Sequence, residues 1–412
     1  MTTVNHRRSV APRETKAPLV NRLLNGTMYL AALTASWTTV AVGGNNIVDY
    51  LLILALGVLI AARFNKTRSI FVSGWMLLPL VASLIITCWA IVVGSAGSPD
   101  STMQLRIFLS TAAVAVLLTS LAADGGSREL QRVLRLWSLG IAISAAVAIL
   151  TSFGILHPSE VFVQKSGSRL SGLTSHPNAL AFSLVMGIAP IMYLAGVARS
   201  WIRSLGWILA MIVVVWGLVL TGSRAGLIVG LPVLAIAVVL WLRSTRLRVV
   251  LVPLTILVGV ALAFTIPALL ADTRLGQGAE DSDAGRILIN EAAMRWFYDS
   301  PVFGGGYDVM HGVAVPIMVL SGGGIILAIG YYAFLLRPVP VLLAGRALPI
   351  AQMGLLSLLA FLAFGVLNPV WMERITYWPA LIAALVILLR GREGIRTNPW
   401  SKGDRSHNPV KR

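Results

Sequence analysis

Long apolar blocks alternate with short polar stretches along most of this chain. Because the hydrocarbon core of a bilayer is about 30 Å thick, a helix of about 20 apolar residues crosses it. The pattern therefore predicts an all-α, polytopic membrane protein with about 12 transmembrane helices. The predicted spans are residues 27–43, 46–62, 74–94, 105–123, 134–156, 177–198, 204–220, 225–242, 248–270, 313–335, 348–368 and 373–390.

An even number of spans places both ends of the chain on the same side of the membrane. Residues 1–26 and 391–412 are basic tails that we assign to the cytoplasm, and residues 27–390 form the transmembrane domain. The largest segments outside the membrane are two outer loops, residues 157–176 and 271–312. The second of these, between the ninth and tenth helices, carries a helical pattern of its own.

The distribution of basic residues sets the orientation. The chain has 57% hydrophobic and 12% charged residues, a mean hydropathy of +0.82 and a formal net charge of +17. With a cytoplasmic N-terminus, 25 of the 33 Lys and Arg residues fall in inner segments, as the positive-inside rule requires. Most of the positive charge therefore lies at the cytoplasmic ends of the helices, where it faces the anionic lipids of the inner leaflet. This explains the net charge without a nucleic-acid partner, and none is predicted. The other eight lie at or beyond outer helix ends: Arg106, Lys165, Arg169, Arg224, Arg274, Arg286, Arg295 and Arg374.

The few cysteines and histidines argue against an internal disulfide and a metal site. The single cysteine, Cys88, lies inside a predicted span and has no second cysteine with which to form an internal disulfide. The five histidines show no spacing typical of a metal site. The sequence therefore predicts no metal site.

Two outer turns lead into helices that run from outside to inside, so each presents a helix N-terminus outward. Backbone N–H groups there are unpaired and carry partial positive charge, which favours anions. In Gly172–Asn178, either Ser175 or His176 can cap the helix. In Thr221–Gly226, Arg224 adds a cation that a bound anion would stabilise. The alternatives are a well-capped helix start in the first case and an arginine reaching lipid phosphates in the second.

The outer loop 271–312 is predicted to contain a short helix from about residue 284 to 298. Arg286 lies in the middle of its apolar face, whereas Glu291 and Arg295 lie on the opposite face. Arg286 is therefore predicted to point into the protein and Arg295 into water. Of the two arginines, Arg286 is the functional candidate.

A glycine-rich turn follows this helix. Ser300–Tyr307 contains three consecutive glycines, which allow close approach of the backbone. His311 comes next, on the same side of the membrane as the outer arginines, and imidazole is suited to proton exchange near neutral pH. The alternative for His311 is a structural position in the loop.

The ordered motifs between residues 165 and 330 resemble the O-antigen ligase and Wzy-type polymerase superfamily, and the twelve-helix layout extends the resemblance to the whole chain. Each motif alone is weak, but the ordered set, with every element outside, is fairly specific. In chain order it consists of Arg169, Gly172-Leu173, His176-Pro177-Asn178, Gly222-Ser223-Arg224, Gly285-Arg286, Trp296, Pro301-Val302-Phe303-Gly304-Gly305-Gly306, His311 and Gly324-Ile325-Ile326.

The resemblance implies a membrane glycosyltransferase of the C type that needs no nucleotide sugar, metal or cofactor. Its donor is a glycan on a polyprenyl diphosphate, usually undecaprenyl, at the outer face of the bacterial cytoplasmic membrane, and its acceptor is a glycan or a lipid. By motif match, Arg224 and Arg286 hold the diphosphate and His311 takes the place of the histidine proposed as base. The matching substrate-binding positions are Arg169, His176, Asn178, Ser223 and Tyr307.

Departures from the family pattern leave ligase versus polymerase, and the identity of the general base, open. Gly312 follows His311 where ligases commonly have asparagine, and the loop before His311 is short. Ser321 lies in the region where the family often has a carboxylate. Outer carboxylates are therefore alternative bases: Asp272, Asp283, Asp308 and Glu373.

A secondary transporter or a lipid-linked-glycan flippase is the alternative function, because twelve helices with both ends inside is also a common carrier layout. The two halves show no repeat, and the inner loop 63–73 lacks the Asp-Arg signature of major-facilitator carriers. Ion-coupled carriers are expected to have ionisable residues near mid-membrane. Here Asp49, Arg106 and Arg374 are near outer ends instead. The sequence does not identify the sugar, the acceptor, the bond stereochemistry or the oligomeric state.

The orientation has a direct test in impermeant thiol labelling of single-cysteine variants. In a Cys88→Ala background, the variants Ser166→Cys and Gln277→Cys should react in intact cells, because both positions lie in outer loops. Ser401→Cys should react only after the cells are opened, because it lies in the basic C-terminal tail. Labelling of Ser401→Cys in intact cells would mean the opposite orientation.

Overall fold

The computed structural model describes residues 19–42, 45–64, 70, 72–94, 99–157, 164–165, 169–241, 279–306, 314–368 and 377–397. Helices account for most of these residues, which confirms the all-α class. In chain order they are α1 Leu19–Thr34, α2 Ile47–Phe64, α3 Gly74–Val92, α4 Pro99–Ser152, α5 Pro177–Gly196, α6 Trp201–Leu220, α7 Arg224–Trp241, α8 Ala279–Asp299, α9 Val315–Leu336, α10 Val339–Ala344, α11 Pro349–Leu367 and α12 Trp378–Thr397.

Two very short antiparallel hairpins accompany the helices. β1, Ala41–Val42, pairs with β2, Asn45–Asn46, just before α2. β3, Gln164–Lys165, pairs with β4, Arg169–Leu170, just before α5. In the second hairpin Lys165 is opposite Arg169. The second hairpin fixes the backbone from which the Arg169 side chain extends.

Every predicted span that falls on the described residues overlaps a helix. Eight helical segments of this part of the chain are long and apolar enough to cross a membrane, so the protein is multi-pass. One of them covers most of two predicted spans, 105–123 and 134–156, because α4 consists of two helices that meet at a kink. Gly126 interrupts α4 with φ 67° and ψ −166°, at the inner loop predicted between these spans. The predicted span 248–270 lies outside the described residues, so the count of twelve stays a prediction.

α1 differs from its predicted span, residues 27–43. The helix begins at Leu19, because leucines continue the apolar pattern toward the N-terminus and Leu24 is buried in the bundle. It ends at Thr34, where the Trp37 N–H donates to the Thr34 carbonyl at 2.9 Å and turns the chain. The turn leads into β1, so the helix stops well short of residue 43.

α5 is the central helix of the bundle. It packs against α4, α6, α7 and α11, and most of its side chains are buried. Small residues keep these helices close: a Cβ on Gly226 of α7 would lie 2.9 Å from the Ala181 Cβ of α5. Close packing of small residues is a usual means of associating helices in lipid. Because α5 has 20 residues, its two ends lie about 30 Å apart.

α9 is broken at the point where the glycine-rich turn meets it. Gly324 has φ 58° and ψ −157° inside this helix, and residues 301–306 turn back onto the break. The Ile325 N–H donates to the Pro301 carbonyl at 2.9 Å. The Ser321 carbonyl accepts from the middle glycine of the turn at 2.7 Å. The turn therefore takes over hydrogen bonds that the broken helix no longer makes within itself.

Trp89 of α3 holds the glycine-rich turn from the other side. Its ring stacks on Phe303 with 4.9 Å between ring centroids. Its indole Nε1 donates to the Gly304 carbonyl at 3.2 Å. A membrane-spanning helix and the broken helix α9 thus enclose the turn, which fixes the C-terminal end of α8 relative to the bundle.

We predict that Gly324→Ala lowers stability by roughly 1–3 kcal/mol or more, because a positive φ is strained for any residue with a Cβ. The added Cβ would also lie 2.3 Å from the Val302 carbonyl oxygen. Gly57→Ala in α2 is the control, since its Cβ would meet nothing within 4 Å, and it should be neutral or slightly stabilising. The measurement is the thermal unfolding midpoint in detergent. Equal midpoints for the two variants would contradict this account of the turn.

Candidate functional site

The loop that carries Arg169 is held tightly against α4. Gly172 has φ +55°, and a Cβ there would lie 2.4 Å from the Ser144 carbonyl oxygen of α4. The Leu173 N–H donates to the Ser144 hydroxyl at 3.1 Å, and the Thr39 hydroxyl donates to the Leu173 carbonyl at 2.9 Å. Glycine is required at this position because the loop backbone touches the helix backbone. The loop is therefore a fixed platform for the residues on either side of it.

His176 caps α5, one of the two residues predicted for this role. Its Nδ1 accepts a hydrogen bond from the Asn178 N–H at 3.0 Å, and Pro177 occupies the first turn. This arrangement satisfies an N–H group that a helix N-terminus leaves unpaired. His176 therefore has a structural function in the helix start, whatever else it contacts.

The Arg169 side chain joins the start of α5 to the turn between α6 and α7. Its Nε donates to the Thr221 carbonyl at 2.9 Å, and its Nη2 donates to the Asn178 Oδ1 at 2.7 Å. The Asn178 Nδ2 in turn donates to the Asn368 Oδ1, at the end of α11, at 3.5 Å. Both groups that accept from Arg169 are neutral, so they orient the guanidinium without cancelling its charge.

Ser223 and Arg224 form the start of α7. The Ser223 hydroxyl is buried and accepts from the Gly226 N–H at 3.2 Å, so it caps the helix. The Ser223 N–H donates to the Thr221 hydroxyl at 3.2 Å. Arg224 is the first residue of α7 and is partly exposed. The Ser223 hydroxyl, which was predicted to bind substrate, thus stabilises the start of α7. The neighbouring Arg224 remains partly exposed at the surface of the turn.

Arg286 lies on α8 as the helical periodicity predicted. Ala293, on the predicted apolar face, is fully buried, and Arg286 is half-buried. Glu291 and Arg295, on the opposite face, are both exposed. The prediction that Arg286 and Arg295 face different surroundings is therefore confirmed. The helix itself is longer than expected and begins at Ala279, five residues before the predicted start.

Two arginines from other elements, Arg224 of α7 and Arg286 of α8, lie close enough to Arg169 to act on it electrostatically. Burial lowers the pKa of Arg169, and the positive charges of Arg286 and Arg224 lower it further. Within the described residues neither Arg169 nor Arg286 forms an ion pair. Like charges brought together in a half-buried site repel, and a bound anion would offset that repulsion. The arrangement is suited to an anion with several negative charges.

Asn368 is a residue at this site that the sequence pattern did not single out. It is 1% exposed, and its Nδ2 has no hydrogen-bond partner within the described residues. A buried N–H donor without a partner is uncommon, because leaving it unpaired costs free energy. The only sequence signal was a polar residue at the end of an apolar span, directly before Pro369.

Two of the predicted site residues, Tyr307 and His311, lie outside the described residues, as do three of the alternative bases, Asp272, Asp308 and Glu373. Within the described part of the chain, no three His, Cys, Asp or Glu residues are grouped as metal ligands would be. Of the eight predicted site residues, the structure brings together Arg169, Asn178, Ser223, Arg224 and Arg286, with His176 at the adjoining helix start.

Comparison with known families identifies the segment that carries two of the three arginines. Residues 209–316 match the family model described as O-antigen ligase, Wzy_C. Over that segment the chain is similar to O-antigen ligases. The match confirms the resemblance predicted from the ordered motifs. No curated protein matches the chain.

The O-antigen ligase match spans the parts of the site that come late in the chain. It includes Arg224, Arg286 and His311, whereas Arg169 and Asn178 precede it. The family implies lipid-linked glycan substrates, and the apolar helices make this a multi-pass membrane protein. The hydrogen bonds of Arg169 therefore tie residues outside the matched segment to the turn inside it.

Proposed function

We propose that this protein transfers or polymerises a glycan from a polyprenyl-diphosphate-linked donor on the outer face of the cytoplasmic membrane. The observation that carries the proposal is the convergence of Arg169, Arg224 and Arg286 from three separate elements. The O-antigen ligase match over residues 209–316 supports the same reaction class. The function assigned to the three arginines is to hold the donor diphosphate.

The chemistry of guanidinium groups supports this assignment. An arginine binds a phosphate through two parallel hydrogen bonds, which a lysine cannot do. Arg169 is already oriented by the Thr221 carbonyl and the Asn178 side chain, so little conformational entropy is lost when it binds. The negative charges of a diphosphate would offset the repulsion that lowers the pKa of Arg169.

In the proposed reaction, an acceptor hydroxyl oxygen attacks the anomeric carbon of the donor sugar. The bond between that carbon and the diphosphate oxygen breaks, and its electron pair leaves with the polyprenyl diphosphate. The arginines stabilise the charge that develops on the leaving oxygen. The hydroxyl proton passes to a base, for which His311 is the motif-matched candidate and the outer carboxylates are alternatives.

The alternative is a flippase or secondary transporter, and one buried charged pair bears on it. Asp49 of α2 is 6% exposed, and its Oδ2 lies 3.8 Å from the Arg106 Nε of α4. An ion-coupled carrier is expected to have such groups near mid-membrane, whereas Asp49 lies in the first turn of α2, at its predicted outer end. The two functions differ in whether the glycan–diphosphate bond breaks. Purified protein supplied with lipid-linked glycan and acceptor should release free polyprenyl diphosphate, and a carrier would release none.

The two arginines of α8 give the sharpest test of the site. Arg286→Ala should lower glycan transfer by about 10²-fold or more, because one charged donor to the leaving group is lost. Arg295→Ala is the matched control on the exposed face of the same helix and should be close to silent. The measurement is the rate of glycan transfer by purified variants whose thermal unfolding midpoints are equal. Equal sensitivity at the two positions would refute the assignment of Arg286.

The general base is tested by measuring turnover and donor binding separately, because it should affect only turnover. If His311 accepts the hydroxyl proton, His311→Ala should lower turnover by about 10²- to 10⁴-fold. Binding of a lipid diphosphate analogue should stay nearly unchanged, because the arginines are intact. Near-normal turnover in His311→Ala, together with a large loss in Asp308→Ala or Glu373→Ala, would assign the base to a carboxylate.

Ligase and polymerase activities are distinguished by the envelope glycans of a strain that lacks the protein. Loss of long chains with single repeat units still attached to the acceptor indicates a polymerase. Accumulation of lipid-linked glycan with an unmodified acceptor indicates a ligase. An unchanged glycan profile would count against both.

A further inference from the structure

A second group of arginines lies at the other end of the bundle, at the end of α5 opposite the three arginines of the candidate site. It surrounds a cavity of about 650 Å³. Six arginines from α4, α6, α12 and the α5–α6 connection line it: Arg128, Arg132, Arg135, Arg199, Arg203 and Arg390. The distribution of charge along the chain predicts that this end faces the cytoplasm. We call this cavity the inner basic pocket.

Acidic residues neutralise little of this charge. Arg132 donates to the Glu129 carboxylate at 2.7 Å, and Glu129 also accepts from the Tyr29 hydroxyl. Within the described residues the other five arginines form no ion pair. The positive-inside rule accounts for basic residues on this side, but it does not require them to surround one cavity.

An apolar groove continues from the inner basic pocket into the bundle. Tyr193 and Val197, at the end of α5, line both spaces. The groove has a volume of about 210 Å³ and runs between α5, α7 and α11. Its other walls are almost entirely apolar and include Leu240, Met353 and Leu356. A ligand that fills both spaces must carry an anionic group and an apolar chain.

Tryptophans place the mouth of the inner basic pocket at the level of lipid headgroups. Trp207 lines the pocket, Trp241 lines the groove, and Trp201 beside them is 75% exposed. Tryptophan is enriched at the boundary between the hydrocarbon core and the headgroups. Basic pockets between helices on the cytoplasmic side attract the phosphates of anionic lipids.

We propose that the inner basic pocket binds one anionic membrane phospholipid, with its phosphodiester headgroup among the arginines and an acyl chain in the groove. The site is distinct from the three arginines of the candidate site, because α5 separates the two by about 30 Å. The bound lipid holds α4, α6, α12 and the α5–α6 connection together through the charges that these elements contribute. This proposal does not depend on the reaction that the protein catalyses.

Native mass spectrometry of the purified protein tests the proposal by counting retained lipids. With added phosphatidylglycerol, the full-length protein should retain one lipid at concentrations where phosphatidylcholine is not retained. Arg135→Gln/Arg390→Gln should weaken retention by about 30-fold, since each surface cation contributes about fivefold. Arg22→Gln/Arg63→Gln is the matched control: the same charge is lost from exposed residues of the same predicted side, outside the pocket.

A second variant tests whether lipid is lost because the site is altered or because the protein unfolds. Val197 is 45% exposed at the junction of pocket and groove, so Val197→Glu adds a repelling carboxylate without disturbing the core. It should also weaken retention, with little change in the unfolding midpoint. Equal retention by both double variants, or equal retention of phosphatidylcholine, would overturn the proposal. If free glycerol phosphate binds as tightly as the lipid, the ligand is a soluble phosphate and the lipid assignment is wrong.

Discussion

The two hydrogen bonds of Arg169 are the interaction on which the candidate site depends. They join the start of α5, through Asn178, to the turn before α7, through the Thr221 carbonyl. Both acceptors are uncharged, so the guanidinium keeps its full charge while its orientation is fixed. Arg224 follows that turn directly, as the first residue of α7. The contact of Arg169 adds a polar link between the two helix starts to the close packing of Gly226 on Ala181.

Backbone contacts that only glycine permits bring the remaining elements to this site. The loop after Arg169 can rest on α4 because Gly172 has no Cβ to meet the Ser144 carbonyl. The turn after α8 can rest on α9 because Gly324 breaks that helix and exposes its N–H groups to Pro301. Hydrocarbon offers no water to unpaired backbone groups, so such a break persists only where another segment pairs with it. The turn supplies that pairing and, with it, the position of Arg286.

Local sequence patterns predicted the parts of the fold that depend on local physics. Helical periodicity separated Arg286 from Arg295, and helix-capping preferences limited the cap of α5 to Ser175 or His176, because both effects act within one or two turns. The start of α1 and the break in α9 were not predicted. The first depends on burial of Leu24 in the bundle, and the second on a turn some twenty residues earlier in the chain. The contact between Arg169 and Thr221 joins residues 52 apart, and no periodicity encodes it.

The two groups of arginines at the ends of α5 differ in how they are held, and this difference matches the ligands proposed for them. Arg169 is half-buried and fixed by neutral acceptors, as stabilisation of a developing charge requires, because a preorganised group does not have to reorient during the reaction. The arginines of the inner basic pocket are exposed and, Arg132 apart, lack ion pairs within the described residues. Flexible cations beside an apolar groove can adapt to a lipid headgroup, whose position varies with the membrane. Stabilising a leaving group requires arginines that are held rigidly, as Arg169 is. Holding a lipid headgroup requires only the electrostatic attraction that the exposed arginines of the inner basic pocket supply.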